Sequence, residues 1–264
     1  MTIQKETAQP IRIAFFDIDG TLLPFRHTKL SEKHAAALRQ LKEQGIPVVA
    51  ASGRPPYIIP DFGFDARIAF NGALAVTSDG SIAYENAISH EALQKVYAFL
   101  NRHGIGMILA GEKDMGAQRY DQNLQDYMSL ASQKVVADPE FARRLDEPCL
   151  QVIASVPEDL RQEMVREIPE LEIFGWHPLG VDITAKHVSK GRALEAVCGY
   201  YGIPVSQSIA FGDAMNDKEL LEAAGIGVAM GNAQDDLKKI ADTVTEPVDQ
   251  DGIWLELNRR GLVS

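Results

Sequence analysis

The sequence predicts an α/β fold: a mostly parallel sheet flanked by helices, with a second, smaller α/β unit inserted into it. Three observations carry this. Short apolar runs rich in β-branched and aromatic residues recur at 11–16, 46–51, 67–70, 208–211 and 226–230, as in strands buried on both faces. Helical stretches separate most of them in a βαβα rhythm, which implies parallel strands. From residue 88 to 186 strands and helices still alternate, but no strand there ends in a cluster of acids, so this stretch reads as an insertion.

The run at 11–16 ends in Asp17 and Asp19, and Gly20-Thr21 turns the chain. In an open α/β sheet ligands sit outside the carboxyl ends of the strands, so these acids stand where chemistry is done. Asp19-Gly20 alone would equally suit a tight turn. An EF-hand is excluded: the Gly comes too early, and position twelve of the loop would be Thr28. Ser31 caps a helix that stops at Gly45. The strand at 46–51 leads into Ser52-Gly53-Arg54-Pro55, which suits an oxyanion or an ordinary βα turn. The strand at 67–70 leads into Asn71-Gly72, and 73–84 reads as a hairpin around Asp79-Gly80.

In the insertion, helices are expected at 91–102, 120–132 and from Pro157, taken as the first helical residue. Strands are expected at 105–110, 150–155, 171–176 and 180–184, with a charged, Pro-containing segment at 138–148. Ser189-Lys190-Gly191 then opens a helix that ends at Gly202. The strand at 208–211 runs into Gly212-Asp213-Ala214-Met215-Asn216-Asp217. A helix at 218–224, the strand at 226–230, a helix at 234–240, a strand at 243–245 and a terminal helix complete the alternation. No internal repeat is evident.

Composition narrows the function. A chain of 264 residues can bury a large core, and 45% hydrophobic with 24% charged residues is ordinary for a soluble globular protein. A net charge of −11 argues against nucleic acid as a partner, which needs Lys and Arg. A small anionic substrate remains compatible, because local charge and a metal override the global balance. Cys149 and Cys198 lie far apart and outside any CxxC, as reduced thiols of a cytoplasmic protein would. The first ten residues hold no apolar core of a signal peptide, and no run approaches a membrane span, so no membrane partner is expected.

Three strand ends thus carry acids or hydroxyls: Asp17/Asp19, Ser52, and Asp213/Asn216/Asp217. In one parallel sheet they fall on one edge. The carboxylates would make an oxygen-only site that selects Mg²⁺ over softer metals. Asn216 and Asp217 are expected on one face of a helical turn, and Lys190 adds a movable positive charge. A metal, a cation, a hydroxyl and backbone N–H groups around a carboxylate are what phosphoryl transfer requires.

DIDGTLL, ASGR, SKG and GDAMND, in that order, resemble the four motifs of the haloacid dehalogenase (HAD) superfamily. FNGA and the ending GVAMGNA…ADTVT…DGI resemble its Cof-type sugar-phosphatase branch. The resemblance implies a Rossmann-like HAD core at 1–87 and 187–264 and an α/β cap of the IIB type at 88–186. It implies a phosphatase of small phosphorylated metabolites. Asp17 would be the nucleophile that becomes an aspartyl-phosphate, and Asp19 the general acid and base. Mg²⁺ would lie between Asp17, the backbone carbonyl of Asp19, and Asp213, with Asp217 holding a bound water. Ser52, Lys190 and Asn216 would hold phosphate oxygens, helped by N–H groups around Gly20, Thr21 and Gly53. Arg54, Asn71 and Gly72 are candidate substrate-binding residues. A sugar phosphomutase and a regulatory phosphate-binding module are the alternatives; the complete acid set argues against the second, since uncompensated buried carboxylates are costly.

The remaining features have structural readings. The segment GIGVAMG at 225–231 lacks GxGxxG spacing and reads as a strand with loop glycines. The six His have no metal-ligand spacing. Trp254 reads as a packing residue, as does Trp176, which lies in the insertion and could also touch substrate.

Overall fold

A computed structural model describes residues 10–130 and 134–264, without the side chains of Trp176 and His177. The chain forms two compact units. One comprises Met1–Gly53, Ile59–Tyr84 and Ser189–Ser264; the other comprises Arg54–Ile58 and Glu85–Val188.

The first unit starts with β1 (Ile13–Phe16), whose four side chains are fully buried. Helix α1 (Glu32–Glu43) follows, with the Ser31 hydroxyl accepting the His34 N–H at 3.0 Å. Gly45 then reverses the chain in the left-handed region. Strands β2 (Val48–Ala51) and β3 (Ala66–Ala69) add in parallel. β4 (Leu74–Thr77) runs antiparallel to β3, and β5 (Ile82–Glu85) closes the expected hairpin around Asp79-Gly80. The Asp79 carboxylate holds that turn by accepting from the Thr77 hydroxyl and the Ser81 N–H.

The second unit contains α2 (His90–Arg102), β6 (Met107–Ala110), β7 (Met115–Ala117), α3 (Gln122–Leu130), α4 (Phe141–Arg144), β8 (Gln151–Ala154), α5 (Glu158–Glu167), β9 (Leu171–His177) and β10 (Gly180–Ala185). Its sheet, ordered β7-β6-β8-β10-β9, pairs antiparallel throughout. Short links such as Pro178-Leu179 permit only that direction. Leu124, Tyr127 and Met128 of α3 pack with Ile108, Ala117 and Ile153 of the sheet. Two elements escape the sequence pattern. β7 is too short to show alternation. α4 forms inside the charged segment because Phe141 is buried and Arg144 pairs with both Asp114 and Asp138. Pro157 sits one place earlier than expected. Its φ of −56° and ψ of 150° make it the N-cap of α5, and its carbonyl accepts from the Leu160 and Arg161 N–H groups. The expected helix end at 131–132 and the first nine residues lie outside the described residues.

The chain re-enters the first unit through α6 (Lys190–Tyr200), β11 (Ser208–Gly212), α7 (Lys218–Ala223), β12 (Ile226–Ala229), α8 (Asp235–Ile240), β13 (Thr243–Val244) and α9 (Gly252–Arg259). The sheet order is β13-β12-β11-β1-β2-β3-β4-β5, parallel from β13 through β3. Strand order therefore departs in opposite directions from β1 and β11, a topological switch point that opens a crevice at their carboxyl ends. Phe16 and Phe211, opposite each other in the register, stack at 5.2 Å and lock the two strands in phase.

Candidate active site

That register decides what meets in the crevice. Asp17 follows β1 directly, its N–H donating to the Phe211 carbonyl at 3.0 Å, and Asp213 follows β11. Lys190 arrives on the first turn of α6, whose cap is the Ser189 hydroxyl accepting from the Arg192 N–H. Its Nζ lies 2.7 Å from Asp17 Oδ1 and 2.5 Å from Asp217 Oδ1. All four side chains are buried.

Glycines permit this crowding at two points. Gly20 has φ +92°, and a Cβ there would lie 2.3 Å from Asp213 Oδ2. At Gly72, with φ +107°, a Cβ would lie 2.1 Å from the Ser189 carbonyl oxygen. Any other residue would push the acid loop or the start of α6 away.

One carboxylate oxygen from each of Asp17, Asp213 and Asp217 lies within 4.8 Å of the others, a group that could hold a metal ion. The donors are all oxygen, and one ammonium faces three carboxylates, so the set fits a hard divalent cation. The three differ in what already occupies them. Asp213 Oδ1 accepts the Thr21 hydroxyl at 3.0 Å. Asp17 Oδ1 accepts Lys190. Both Asp217 oxygens are engaged: Oδ1 by Lys190, and Oδ2 by the N–H groups of Asp213 and Ala214 at 3.0 and 3.1 Å. Burial, then the neighbouring Asp217, holds the Asp17 carboxyl well above the usual carboxylate range against the opposing pull of Lys190. Burial and Asp217 likewise push Asp213 up to about 6. For Lys190 burial acts downward, but Asp17 and Asp217 outweigh it, so the ammonium is held above its ordinary value.

Two local expectations change. Asn216 and Asp217 do not share a face. Met215–Asp217 is a 3₁₀ turn, in which successive residues point about a third of a turn apart, so Asp217 is buried and Asn216 exposed. Lys190 is not a movable charge; its ammonium is clamped between two carboxylates.

The other candidates are placed as follows. Asp19 is half-buried in the turn that Gly20 and Leu23 close, the Gly20 N–H donating to the Leu23 carbonyl at 2.7 Å. Ser52 is buried, and its carbonyl accepts the Asn71 N–H. Gly53 packs beside the Asn71 side chain, which accepts from Asn216 Nδ2 at 3.1 Å. Arg54 belongs to the second unit.

Sequence reasoning misses two residues that brace the acid loops from β12. Asn232 Nδ2 donates to the Gly20 carbonyl at 2.8 Å while its Oδ1 accepts the Val248 N–H at 2.8 Å. The Gln234 N–H donates to the Asp213 carbonyl at 3.0 Å, and its side-chain oxygen accepts the Met215 N–H. Their only signal was membership of the GVAMGNA ending, which by itself states no role. Both cysteines are buried and free, and burial pushes Cys149 up to about 12 and Cys198 to about 11, as inert thiols. Trp254 packs under Lys33; the Trp176 side chain lies outside the described residues. Among the described residues, no helix is long and apolar enough to cross a membrane.

Comparison with known proteins agrees with this architecture. The chain belongs to the haloacid dehalogenase-like hydrolases, whose family model matches residues 14–257, and is a HAD-type phosphatase of the Cof type. Its fold is similar to that of BT1666 from Bacteroides thetaiotaomicron, described among phosphatases of the superfamily, with a TM-score of 0.86, 30% identity and 99% of each chain covered. It is also similar to the HAD subclass IIB sugar phosphatase BT4131, with a TM-score of 0.81 and 30% identity over 96% of this chain and 100% of the other. In Bacillus subtilis (strain 168), the 5-amino-6-(5-phospho-D-ribitylamino)uracil phosphatase YcsE is 25% identical, with 96% of each chain covered.

Proposed function

We propose that the protein is a Mg²⁺-dependent phosphatase that hydrolyses small phosphate monoesters, of a sugar or a related polyol, through an aspartyl-phosphate on Asp17. The observation that carries this is the cluster of Asp17, Asp213, Asp217 and Lys190 at the carboxyl ends of two adjacent parallel strands. The substrate class draws on the relatives, one described as a sugar phosphatase and one named for a phosphoribityl compound.

Asp17 and Asp213 would hold the cation, with Asp217 behind them fixing Lys190 and the Asp213 backbone. Bound there, Mg²⁺ would neutralise charge on the phosphate and on the two acids that it must approach. The Asp17 carboxylate attacks phosphorus as the ester P–O bond breaks, and Asp19 gives its proton to the departing alkoxide. Asp19 then takes a proton from the water that attacks phosphorus, releasing phosphate and restoring Asp17. Lys190 opposes the burial that raises Asp17, favouring its carboxylate form, and holds that carboxylate in place. Ser52, Asn216 and the N–H groups of Thr21 and Gly53 hold the phosphate oxygens, the Gly20 N–H being already given to the Leu23 carbonyl. These groups grip only what all monoesters share, so we assign discrimination among alcohols to the second unit.

Phosphate release measured over a broad panel of monoesters, with Mg²⁺ and after exhaustive chelation, tests the reading. Release with Mg²⁺ that vanishes on chelation is expected, with Ca²⁺ a poor substitute because of its looser, higher coordination. Release that persists without metal, or its absence with every ester, would reject it. Isomerised phosphate ester in place of free phosphate would identify a mutase instead.

A further inference from the structure

The turn between β3 and β4 is strained. Phe70, Asn71 and Gly72 have φ of 52°, 55° and 107° in succession. Gly adopts this region freely, Asn with modest cost, and a buried Phe seldom. Such conformations persist where the surroundings over-determine them, and they gather at functional sites. Here the turn reaches two strand-end segments and the start of α6 at once. The Asn71 N–H donates to the Ser52 carbonyl at 3.1 Å. Asn71 Oδ1 accepts from Asn216 Nδ2 at 3.1 Å. Gly72 fits directly against the Ser189 carbonyl and the Lys190 nitrogen.

We propose that Asn71 is a positioning residue: it fixes the Asn216 carboxamide, in register with Ser52, for that amide's grip on the phosphoryl group. The proposal rests on the reading of Asn216 and Ser52 as phosphate-holding groups. Asn216 is exposed, on a short 3₁₀ turn, and left alone its side chain would sample several rotamers. Engaging one N–H of its amide with Asn71 limits the directions open to the other. Asn71 is suited to the task because asparagine tolerates the left-handed region and keeps its acceptor on a short, stiff arm.

The test uses the full-length protein. The inhibition constant of inorganic phosphate reports the grip without a leaving group, and KM and kcat for two esters of unlike alcohols report it during turnover. Asn71→Gly keeps the left-handed backbone and the N–H to Ser52 and removes only the amide. The phosphate inhibition constant and both KM values should rise together by about tenfold, kcat should change less, and Tm should stay near the parent's. Asn216→Ala should give a similar rise, and the double variant should be no weaker than Asn216→Ala alone, since both act along one path. Asn71→Asp preserves both conformation and acceptor, so in that background Asn216→Ala should still raise the phosphate inhibition constant as it does in the parent, a comparison that stands even if Asn71→Gly folds poorly. Additive losses, or losses for one ester only, would show Asn71 acting on substrate itself and overturn the proposal. It also fails if Asn216→Ala weakens phosphate while Asn71→Gly does not, which would leave the phosphate role of Asn216 standing. Phosphate inhibition unchanged in Asn216→Ala would remove that role and the proposal together.

Discussion

Single side chains in the acid cluster should separate cleanly by what is lost. An amide at position 17 cannot serve as nucleophile, so Asp17→Asn should abolish turnover while circular dichroism and Tm show an intact fold. Asp19→Asn should lose proton transfer, roughly 10²–10⁴-fold. The loss should be steepest for esters with poor leaving groups, and equal slowing of good and poor leaving groups would count against the general-acid role. Lys190 behaves differently because it is structural as well as electrostatic. Its ammonium is fully buried between Asp17 and Asp217. Lys190→Met would leave two buried carboxylates facing each other without compensation. We expect inactivity together with a loss of about 3–5 kcal/mol in urea denaturation, the scale for breaking a buried pair by removing one partner. A variant as stable as the parent would mean that the pair relaxes into water.

Elements matter through what they hold still. The 70–72 turn carries strain on the order of 1–3 kcal/mol per non-glycine residue, and the sheet on either side compensates for it. The loop after β12 acts by a milder device, two carboxamides hydrogen-bonded to the acid loops. Asn232→Ala should free the Gly20 carbonyl and loosen the turn that carries Asp19, lowering kcat several-fold on the scale of one hydrogen bond. The effect should fall mainly on esters with poor leaving groups; a change confined to KM would place Asn232 elsewhere in the cycle. In the second unit, Asp182 on β10 lies under α3, where Tyr127 Oη reaches its Oδ1 at 3.4 Å. Burial, outweighing the hydrogen bonds from Gln151 and Tyr127, pushes its carboxyl up to about 6 from an ordinary 3.8. The folded state then binds the proton more tightly than the unfolded chain. Stability from this group is full below the ordinary value and is lost as pH rises through about 6. Asp182→Asn should therefore raise Tm at pH 7.5 and leave it nearly unchanged at pH 3.5; the reverse order would put the charge in a better-solvated place than the structure does.

At the scale of the molecule, the two units divide the work that we propose. The first holds every group assigned to the phosphoryl chemistry, on one sheet edge. The second, with its own antiparallel sheet and apolar cluster, is left to distinguish alcohols. Exchanging residues 85–188 for the corresponding unit of a relative with another preference should transfer the ranking of kcat/KM among esters. Inhibition by inorganic phosphate should stay close to the parent's. A folded chimera that kept the original ranking would move specificity into the first unit, with Asn71 the place to look.

The sequence by itself determined the α/β class, the mostly parallel direction of the first sheet and the acids that follow its strands. Those features are written in local periodicity: apolar runs of strand length, helices between them, and carboxylates immediately after strands 11–16 and 208–211. The Ser31 helix cap was legible for the same reason, since a cap acts over three residues. The tertiary structure decided what each polar group does. Asp217 and Asn216 are neighbours in sequence, yet one is buried on Lys190 and the other reaches Asn71, because a 3₁₀ turn splits their directions. Thr21 anchors Asp213, Gln234 braces its backbone, and Asn232 holds Gly20, from up to 212 positions away. No period in the sequence encodes a hydrogen bond between residues so far apart; it exists only once the register of β1, β11 and β12 brings their ends together.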